Sequence, residues 1–280
     1  MFMRVSVIQM RVGPDKEENL RHAAVLVAQA AREGADMAVL PEMFVCPYEN
    51  QAFRSNGEPA GGRIWKALSE MAEKNGLYLV GGSFPEQADG RLYNSSFVFD
   101  SQGRQIAWHR KVHLFDIDVE GGQYFRESDT FTAGNDITVF DTPFGRMGLC
   151  ICFDLRFPEL ARIMALEGAK VLLIPAAFNM TTGPLHWELL FRSRAIDDQV
   201  FTVGCAPARD ENGPYVSYGN SLVADPWGKI LVRAGAEEEV LMTELDLTET
   251  ERVRMQLPLI SARRTDLYQL CRGERDRSKF

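Results

Sequence analysis

The sequence of 280 residues is 45% hydrophobic and 25% charged, a composition typical of a globular protein that excludes extensive disorder. Acidic residues outnumber basic ones 39 to 31, and no run of Lys and Arg offers the positive face that nucleic acids bind. No apolar run approaches the ~18 residues of a membrane span, and the first ten residues lack the apolar core of a signal peptide. Together with five cysteines in no disulfide framework, these features predict a cytoplasmic protein that binds neither nucleic acid nor membranes.

The first half of the chain alternates short β-branched runs with stretches of helical period. The pattern predicts, in order, a strand at 4–10, a helix at 16–33, a strand at 37–42, a helix at 63–75 that ends at Gly76, and a strand at 77–84. The runs SSFVFD and QIAWHRKV flank the turn residues 101–104, which predicts a hairpin. A hairpin beside a βαβ unit makes the predicted sheet mixed.

The second half repeats this layout. It predicts a strand at 146–152, a helix at 158–168, a strand at 170–178, a helix at 184–198 and a strand at 201–208, followed by strands at 221–228, 229–234 and 239–246. No Pro/Ser-rich or low-complexity linker separates the halves. We therefore predict one domain over 1–280, a four-layer α-β-β-α sandwich with two mixed sheets face to face, and a tail from about 249 that contacts a partner subunit.

Cys152 follows the apolar run 147–151 and precedes a predicted helix start, so it lies at a strand-to-helix turn. Backbone N–H groups at such a turn favour negative charge on a thiolate or on an oxyanion above it. The alternative is a buried cysteine that only fills the strand interior, a common role for free cysteine. Cys150 shares the same face and is predicted to be such a filler.

Glu42 and Lys111 also lie where predicted strands end. Glu42 follows an apolar strand and Pro41, and partial burial would raise its pKa towards the range of a proton shuttle. Alternation places His109 and Lys111 on one face of their strand. Each residue taken alone has an ordinary alternative, a solvated loop glutamate or a surface lysine. Because ligand sites gather beyond strand ends in such sheets, the three residues together predict a common site.

Other chemistries have weaker support. None of the four histidines is clearly placed as the base of a Cys–His pair. Cys150 and Cys152 lack the additional ligands of a zinc site, and no H-E-x-x-H occurs. The paired glycines match neither the P-loop nor the dinucleotide-binding spacing. The sequence therefore predicts catalysis without a metal or nucleotide.

Three segments together resemble the nitrilase superfamily of carbon–nitrogen hydrolases: PEM at 41–43, HRKVH at 109–113 and CFDLRFPEL at 152–160. The similarity extends from residue 4 to about residue 268, and the segments occur in the family's order. The resemblance implies that Glu42, Lys111 and Cys152 are a catalytic triad and that Glu127 is the family's second glutamate. It also implies a thioester intermediate, an oxyanion held by Lys111 and the backbone N–H of Phe153, and no cofactor.

Within the superfamily, HRKVHLFDIDV and residues 176–210 look like the omega-amidase branch. That branch hydrolyses the terminal amide of a 2-oxo dicarboxylic acid monoamide such as 2-oxoglutaramate or 2-oxosuccinamate. The implied partners are a small anionic amide and water. Matching positions imply that Arg156 binds the substrate carboxylate, that Tyr48 adds a hydroxyl and that Phe178 forms a wall of the pocket.

Several alternatives remain open at this stage. Arg156 has a structural alternative, an ion pair with Asp154 or Glu159. The segment FDLRFPEL is more similar to deaminated-glutathione amidases than to animal omega-amidases, which gives a second possible substrate class. A catalytically silent scaffold would fold identically, and an acyltransferase would use the same thioester. By analogy with the family, we expect a homodimer.

Overall fold

A computed structural model of the chain describes residues 1–273 and contains two large β-sheets and a small hairpin. The strands are β1 Phe2–Gln9, β2 Met37–Val39, β3 Tyr78–Val80, β4 Phe84–Ala88, β5 Arg91–Phe99, β6 Gln105–Arg110, β7 Asp116–Asp118, β8 Tyr124–Arg126, β9 Thr138–Thr142, β10 Gly145–Leu149, β11 Val171–Pro175, β12 Phe201–Cys205, β13 Leu222–Ala224, β14 Ile230–Arg233 and β15 Glu239–Asp246. The helices are α1 Lys16–Arg32, α2 Asn50–Ser55, α3 Arg63–Asn75, α4 Pro158–Leu166, α5 Gly183–Asp198 and α6 Glu249–Gln256, with short 3-10 helices at Glu127–Asp129 and Cys152–Arg156.

Both large sheets are mixed, as the sequence predicts. The first has the order β15-β1-β2-β3-β5-β4, with β6 added to β5, and the second has the order β14-β13-β12-β11-β10-β9. In the first sheet β1 runs parallel to β2 and antiparallel to β15. Within residues 1–273, the last strand thus pairs with the first, so the two halves of the sequence interlock.

The elements form the predicted four layers. Apolar side chains of both sheets meet in one core, including Val5 and Val39 from the first sheet and Leu149 and Val203 from the second. Helices α1 and α3 pack on the outer face of the first sheet, and α4 and α5 pack on that of the second. The assignment of all 280 residues to a single domain stays a prediction.

Several predicted strands are shorter in the structure, including those at 37–42, 170–178, 201–208 and 221–228, and the one at 77–84 is interrupted. The segment 77–84 divides into β3 and β4 at Gly81–Ser83, because Gly82 adopts a left-handed φ of 56°. A Cβ at Gly82 would lie 2.2 Å from the carbonyl oxygen of Pro41, so only glycine permits this approach of the two backbones. The break brings Ser83 against the segment that carries Glu42.

The tail is helical only at its start. After α6, residues 257–273 contain no further helix or strand and are largely exposed, and residues 274–280 of the predicted tail lie outside the described residues. Within 1–273, none of the helices combines the length and apolar character needed to cross a membrane.

Candidate active site

Glu42 lies just beyond β2 in a tightly held turn and is 1% exposed. The next residue, Met43, has a left-handed φ of 52° and donates its backbone N–H to the hydroxyl of Ser83 at 3.1 Å. Ser83 in turn donates its own N–H to Pro41 at 3.2 Å. The carboxylate is therefore fixed by the backbone on both sides of it.

Lys111 follows β6 and lies in the interior, together with His109, as the alternation predicts. Its Nζ lies 2.8 Å from Glu42 Oε1 and 2.9 Å from Glu127 Oε2. Glu127 is itself buried and accepts the backbone N–H of Phe115 at 2.7 Å. Glu42, Lys111 and Glu127 thus form one buried ionic cluster, which we call the carboxylate–lysine cluster.

Two further side chains complete this cluster. Asn94 on β5 donates from Nδ2 to Glu42 Oε1 and to Glu127 Oε1, at 2.9 Å each. The hydroxyl of Tyr48 lies 3.4 Å from Glu42 Oε1 and 3.4 Å from Lys111 Nζ. Asn94 was not among the predicted site residues, and its one local signal is a run of buried polar residues, 94–96, within β5. Tyr48, predicted to contact substrate, lies among the charged groups.

Cys152 is the first residue of a 3-10 helix. Only Cys150 and Ile151 separate it from the end of β10 in the second sheet, as expected for a strand-to-helix turn. Its φ of 48° is left-handed, a strained conformation for a residue with a Cβ. The backbone N–H of Ala177 contacts Sγ at 3.5 Å. Burial, and secondarily the charge of Glu42, raise the pKa of the Cys152 thiol well above its usual value, although Lys111 opposes them. The Cys152 thiol is therefore electrostatically coupled to the other two members of the predicted triad.

The charges of the cluster do not cancel, because two carboxylates face one ammonium. Burial raises the pKa of Glu42, Lys111 opposes this, and the negative charge of Glu127 adds to it. Burial alone would lower the pKa of Lys111, but the two carboxylates outweigh burial and raise it. Glu42 Oε2 accepts no hydrogen bond of ordinary geometry from the described residues, and the Cys152 thiol interacts with the same carboxylate as a hydrogen-bond donor. Glu42 is therefore a basic carboxylate with one oxygen free to take a proton.

Arg156 and Phe178 lie together on the second-sheet side of the site. The guanidinium lies 4.6 Å from the ring centroid of Phe178 and 5.6 Å from that of Phe153. Its Nη1 donates to His186 Nδ1 at 3.0 Å, and its Nε has no partner among the described residues. The suggested ion pair with Asp154 or Glu159 is absent from these residues. Arg156 keeps free donor capacity for a ligand.

Tyr215, in the loop between β12 and β13, is a second residue that sequence analysis missed. Its hydroxyl donates to the carbonyl oxygen of Ala177, and its ring centroid lies 4.6 Å from that of Tyr48. A cavity of about 350 Å³ is lined by Glu42, Tyr48 and Tyr215 among others, a volume suited to a small ligand. No pattern in the loop sequence identified Tyr215.

Of the remaining cysteines, Cys46 lines the same cavity as Glu42 and Tyr48. Cys150 is buried in the core beneath α4 and α5, and burial raises its pKa. All five cysteines are free thiols. Within 1–273, no group of three or more His, Cys, Asp or Glu side chains is arranged to hold a metal ion.

The chain is similar to known proteins over most of its length. The family model described as carbon-nitrogen hydrolase matches residues 4–255. The chain is 48% identical over 265 residues to the omega-amidase NIT2 of Danio rerio, covering 95% of this chain and 96% of that protein. Among solved structures it resembles Nit3 of Saccharomyces cerevisiae, a member of branch 10 of the nitrilase superfamily, with 40% identity, a TM-score of 0.86, and 94% and 97% of the two chains covered.

A further solved structure is a glutamate-to-glutamine variant of the amidase from Nesterenkonia sp. AN1. It shows covalent addition of the acetamide moiety of fluoroacetamide at the active-site cysteine of that enzyme. The similarity extends over 95% of each chain with 25% identity and a TM-score of 0.78.

Proposed function

The chain belongs to the carbon–nitrogen hydrolase family and hydrolyses amides, and from this premise we propose that Cys152 attacks the terminal amide of a small 2-oxo dicarboxylic acid. The observation that carries the proposal is the position of Lys111 Nζ, 2.8 Å from Glu42 and 2.9 Å from Glu127, with the Cys152 thiol coupled electrostatically to Glu42 and Lys111. A base, an ammonium and a nucleophile are what acyl transfer through a thioester requires.

The first step is attack of the thiol on the amide carbon. Because the pKa of the Cys152 thiol is raised, its proton leaves as the C–S bond forms rather than beforehand. Glu42 accepts this proton, since burial makes its carboxylate more basic and its Oε2 is free. The product of the step is a tetrahedral intermediate with a negatively charged oxygen.

Lys111 and the N–H of Phe153 stabilise that oxygen. Lys111 directs two donors to carboxylates at less than 3 Å, whereas its contact with the Tyr48 hydroxyl is longer, at 3.4 Å. A substrate oxygen can therefore replace the Tyr48 hydroxyl at Lys111 Nζ more readily than it can replace either carboxylate. Phe153 is the second residue of the 3-10 helix, where backbone N–H groups lack helical acceptors.

The second half of the reaction releases both products. Protonated Glu42 donates its proton to the nitrogen, the C–N bond breaks, and ammonia leaves behind a thioester on Cys152. Water then attacks the thioester while Glu42 takes its proton. The C–S bond breaks, Glu42 returns the proton to the sulfur, and the free acid departs. One amide and one water are consumed, and one acid and one ammonia are produced.

The surroundings of Arg156 support the proposal that the substrate is an anion. Its guanidinium is partly buried, stacks near Phe178 and contacts His186, but forms no ion pair with a carboxylate of residues 1–273. Arginine in this state is suited to bind a carboxylate through two parallel hydrogen bonds. The name omega-amidase carried by the relatives supports the same substrate class.

Ammonia release over a panel of amides tests this proposal. We expect turnover of 2-oxoglutaramate and 2-oxosuccinamate, and none by Cys152→Ala, with Cys150→Ala as the matched control that keeps activity. Preferential turnover of deaminated glutathione would overturn the substrate assignment, and ammonia release by Cys152→Ala would overturn the mechanism. For a hydrolase, we expect added hydroxylamine to compete only weakly with water for the acyl group. Dominant formation of the hydroxamate would indicate an acyltransferase instead.

We also propose a homodimer, supported by uncovered apolar surface. Leu185, Leu189 and Ile196 lie along one side of α5 and are 73%, 65% and 38% exposed, and Leu267 and Tyr268 of the tail are 70% and 55% exposed. Light scattering should give twice the 31.5 kDa of one chain, and Leu189→Glu should reduce it to that value. A monomeric wild-type protein would contradict the dimer.

A cytoplasmic location is proposed as well, because all five cysteines are free thiols, as a reducing compartment would leave them. Cell fractionation checks it, and recovery with secreted proteins would contradict it.

A further inference from the structure

Asp154 is a fully buried carboxylate that the mechanism above does not use. It lies two residues after Cys152 and is 1% exposed. Burial alone would raise its pKa, but hydrogen bonds from His109 and His113 outweigh burial and lower it, so the residue is a carboxylate. Because a buried charge without partners would be costly, the groups that hydrogen-bond Asp154 are what keep it ionised in the interior.

The partners of Asp154 surround two members of the triad. Oδ1 accepts the backbone N–H of His113 at 2.9 Å and its ring Nδ1–H at 2.8 Å. Oδ2 accepts His109 Nε2–H at 3.0 Å and the backbone N–H of Ile151 at 3.0 Å. His109 and His113 stand two residues before and two residues after Lys111, and Ile151 directly precedes Cys152. One carboxylate therefore joins the lysine of the first sheet to the cysteine of the second.

We propose that Asp154 is a positioning residue that fixes the distance between Lys111 and Cys152. The proposal rests on the function proposed for these two residues. Lys111 and Cys152 come from different sheets, and the segments that carry them are held together near the site by this carboxylate. Displacement of catalytic groups by ~1 Å costs about 100-fold in rate, so this link controls turnover rather than binding.

The variant Asp154→Asn breaks the link with little change in volume. Each carboxylate oxygen accepts one backbone N–H, from His113 or from Ile151. An amide group must place its NH₂ at one of these positions, where two donors then face each other. We expect kcat to fall about 100-fold while KM changes little, because no substrate contact is lost.

Glu86→Gln is the matched control. Glu86 is also a buried carboxylate, 3% exposed, and its Oε1 and Oε2 accept two hydrogen bonds of 2.8 Å from Arg110, the residue next to Lys111. It has no contact with the carboxylate–lysine cluster among its hydrogen bonds. We expect this variant to lose thermal stability but keep kcat. Equal loss of kcat in both variants at equal loss of Tm would show that Asp154 is only structural and would overturn the proposal.

Alkylation of Cys152 by iodoacetamide separates this inference from the proposed substrate. The alkylation rate at each pH reports the thiol and its neighbours without turnover of the proposed substrate, with Cys152→Ala correcting for the other cysteines. A changed pH profile in Asp154→Asn supports positioning, and a wild-type profile overturns it. An unreactive Cys152 in the wild-type protein would instead refute the proposed nucleophile.

His113→Phe provides a variant that is expected to fold if Asp154→Asn does not. His113 stacks on Phe157 with ring centroids 3.6 Å apart, an arrangement that phenylalanine can keep. Only the ring Nδ1–H donor to Asp154 is removed, so we expect a smaller loss of kcat, about 10-fold, again at nearly constant KM. Unchanged kcat in a folded His113→Phe protein would contradict the proposal.

Discussion

Arg110 and Lys111 are neighbours at the end of β6, and each lies against a buried carboxylate on a different face of the sheet. Arg110 binds both oxygens of Glu86 at 2.8 Å, and its guanidinium carbon lies 3.9 Å from the ring centroid of Tyr93. Ser95 adds a third hydrogen bond to Glu86 at 2.6 Å. On this face both oxygens of Glu86 have hydrogen-bond partners, and one positive charge meets one negative charge.

The face that carries Lys111 is built differently. One ammonium faces two carboxylates, one oxygen of Glu42 has no partner among the described residues, and a thiol lies within electrostatic reach. Structural ion pairs and active sites both bury charge, so burial alone does not distinguish them. The excess negative charge and the unsatisfied carboxylate oxygen distinguish the Lys111 face from the Arg110 face, because they allow Glu42 to take up a proton.

Replacement of Lys111 should have the largest effect. In Lys111→Met, Glu42 and Glu127 lose their common counter-charge, one of them takes up a proton, and the oxyanion loses its donor. We expect kcat/KM to fall by about 1000-fold or more. Ammonia release measures this, with circular dichroism to verify folding. More than a tenth of wild-type activity would refute the role given to Lys111.

Replacement of Arg110 should affect stability instead. Arg110→Met leaves Glu86 as a buried carboxylate without a counter-charge, which should cost about 3 kcal/mol in the free energy of unfolding. Urea denaturation measures this loss, and kcat at a temperature well below the transition should stay near wild type. A selective loss of kcat would show that the Glu86–Arg110 pair also serves the active site.

The smallest effect is a shift in pH dependence. Glu42 acts as a base only when ionised, so activity falls as the pH drops through its raised pKa. The charge of Glu127 helps to raise that pKa, so Glu127→Gln should lower it and move the midpoint of the acid limb to lower pH. Profiles of kcat/KM against pH measure the midpoint. A shift to higher pH, or an equal shift in Glu86→Gln, would contradict the coupling.

The helices and strands around the site were more predictable from the sequence than the contacts within it. The helix Arg63–Asn75 and its end at Gly76 were predicted to the residue, because the apolar period and a left-handed glycine are local signals. The strand at 77–84 was wrong because Gly82 interrupts it, and the reason is the approach of Pro41 from a distant part of the chain. Local patterns do not report such contacts.

The sequence by itself determined the three residues predicted to react and the strand ends on which they stand, since periodicity and family motifs are read along the chain. Only the tertiary structure showed that Asn94 bridges Glu42 and Glu127, that Tyr215 reaches Ala177, and that Arg156 lacks an acidic partner among the described residues. These features depend on which side chains two separate sheets bring within hydrogen-bonding distance. Packing fixes those distances, and no spacing along the sequence encodes them.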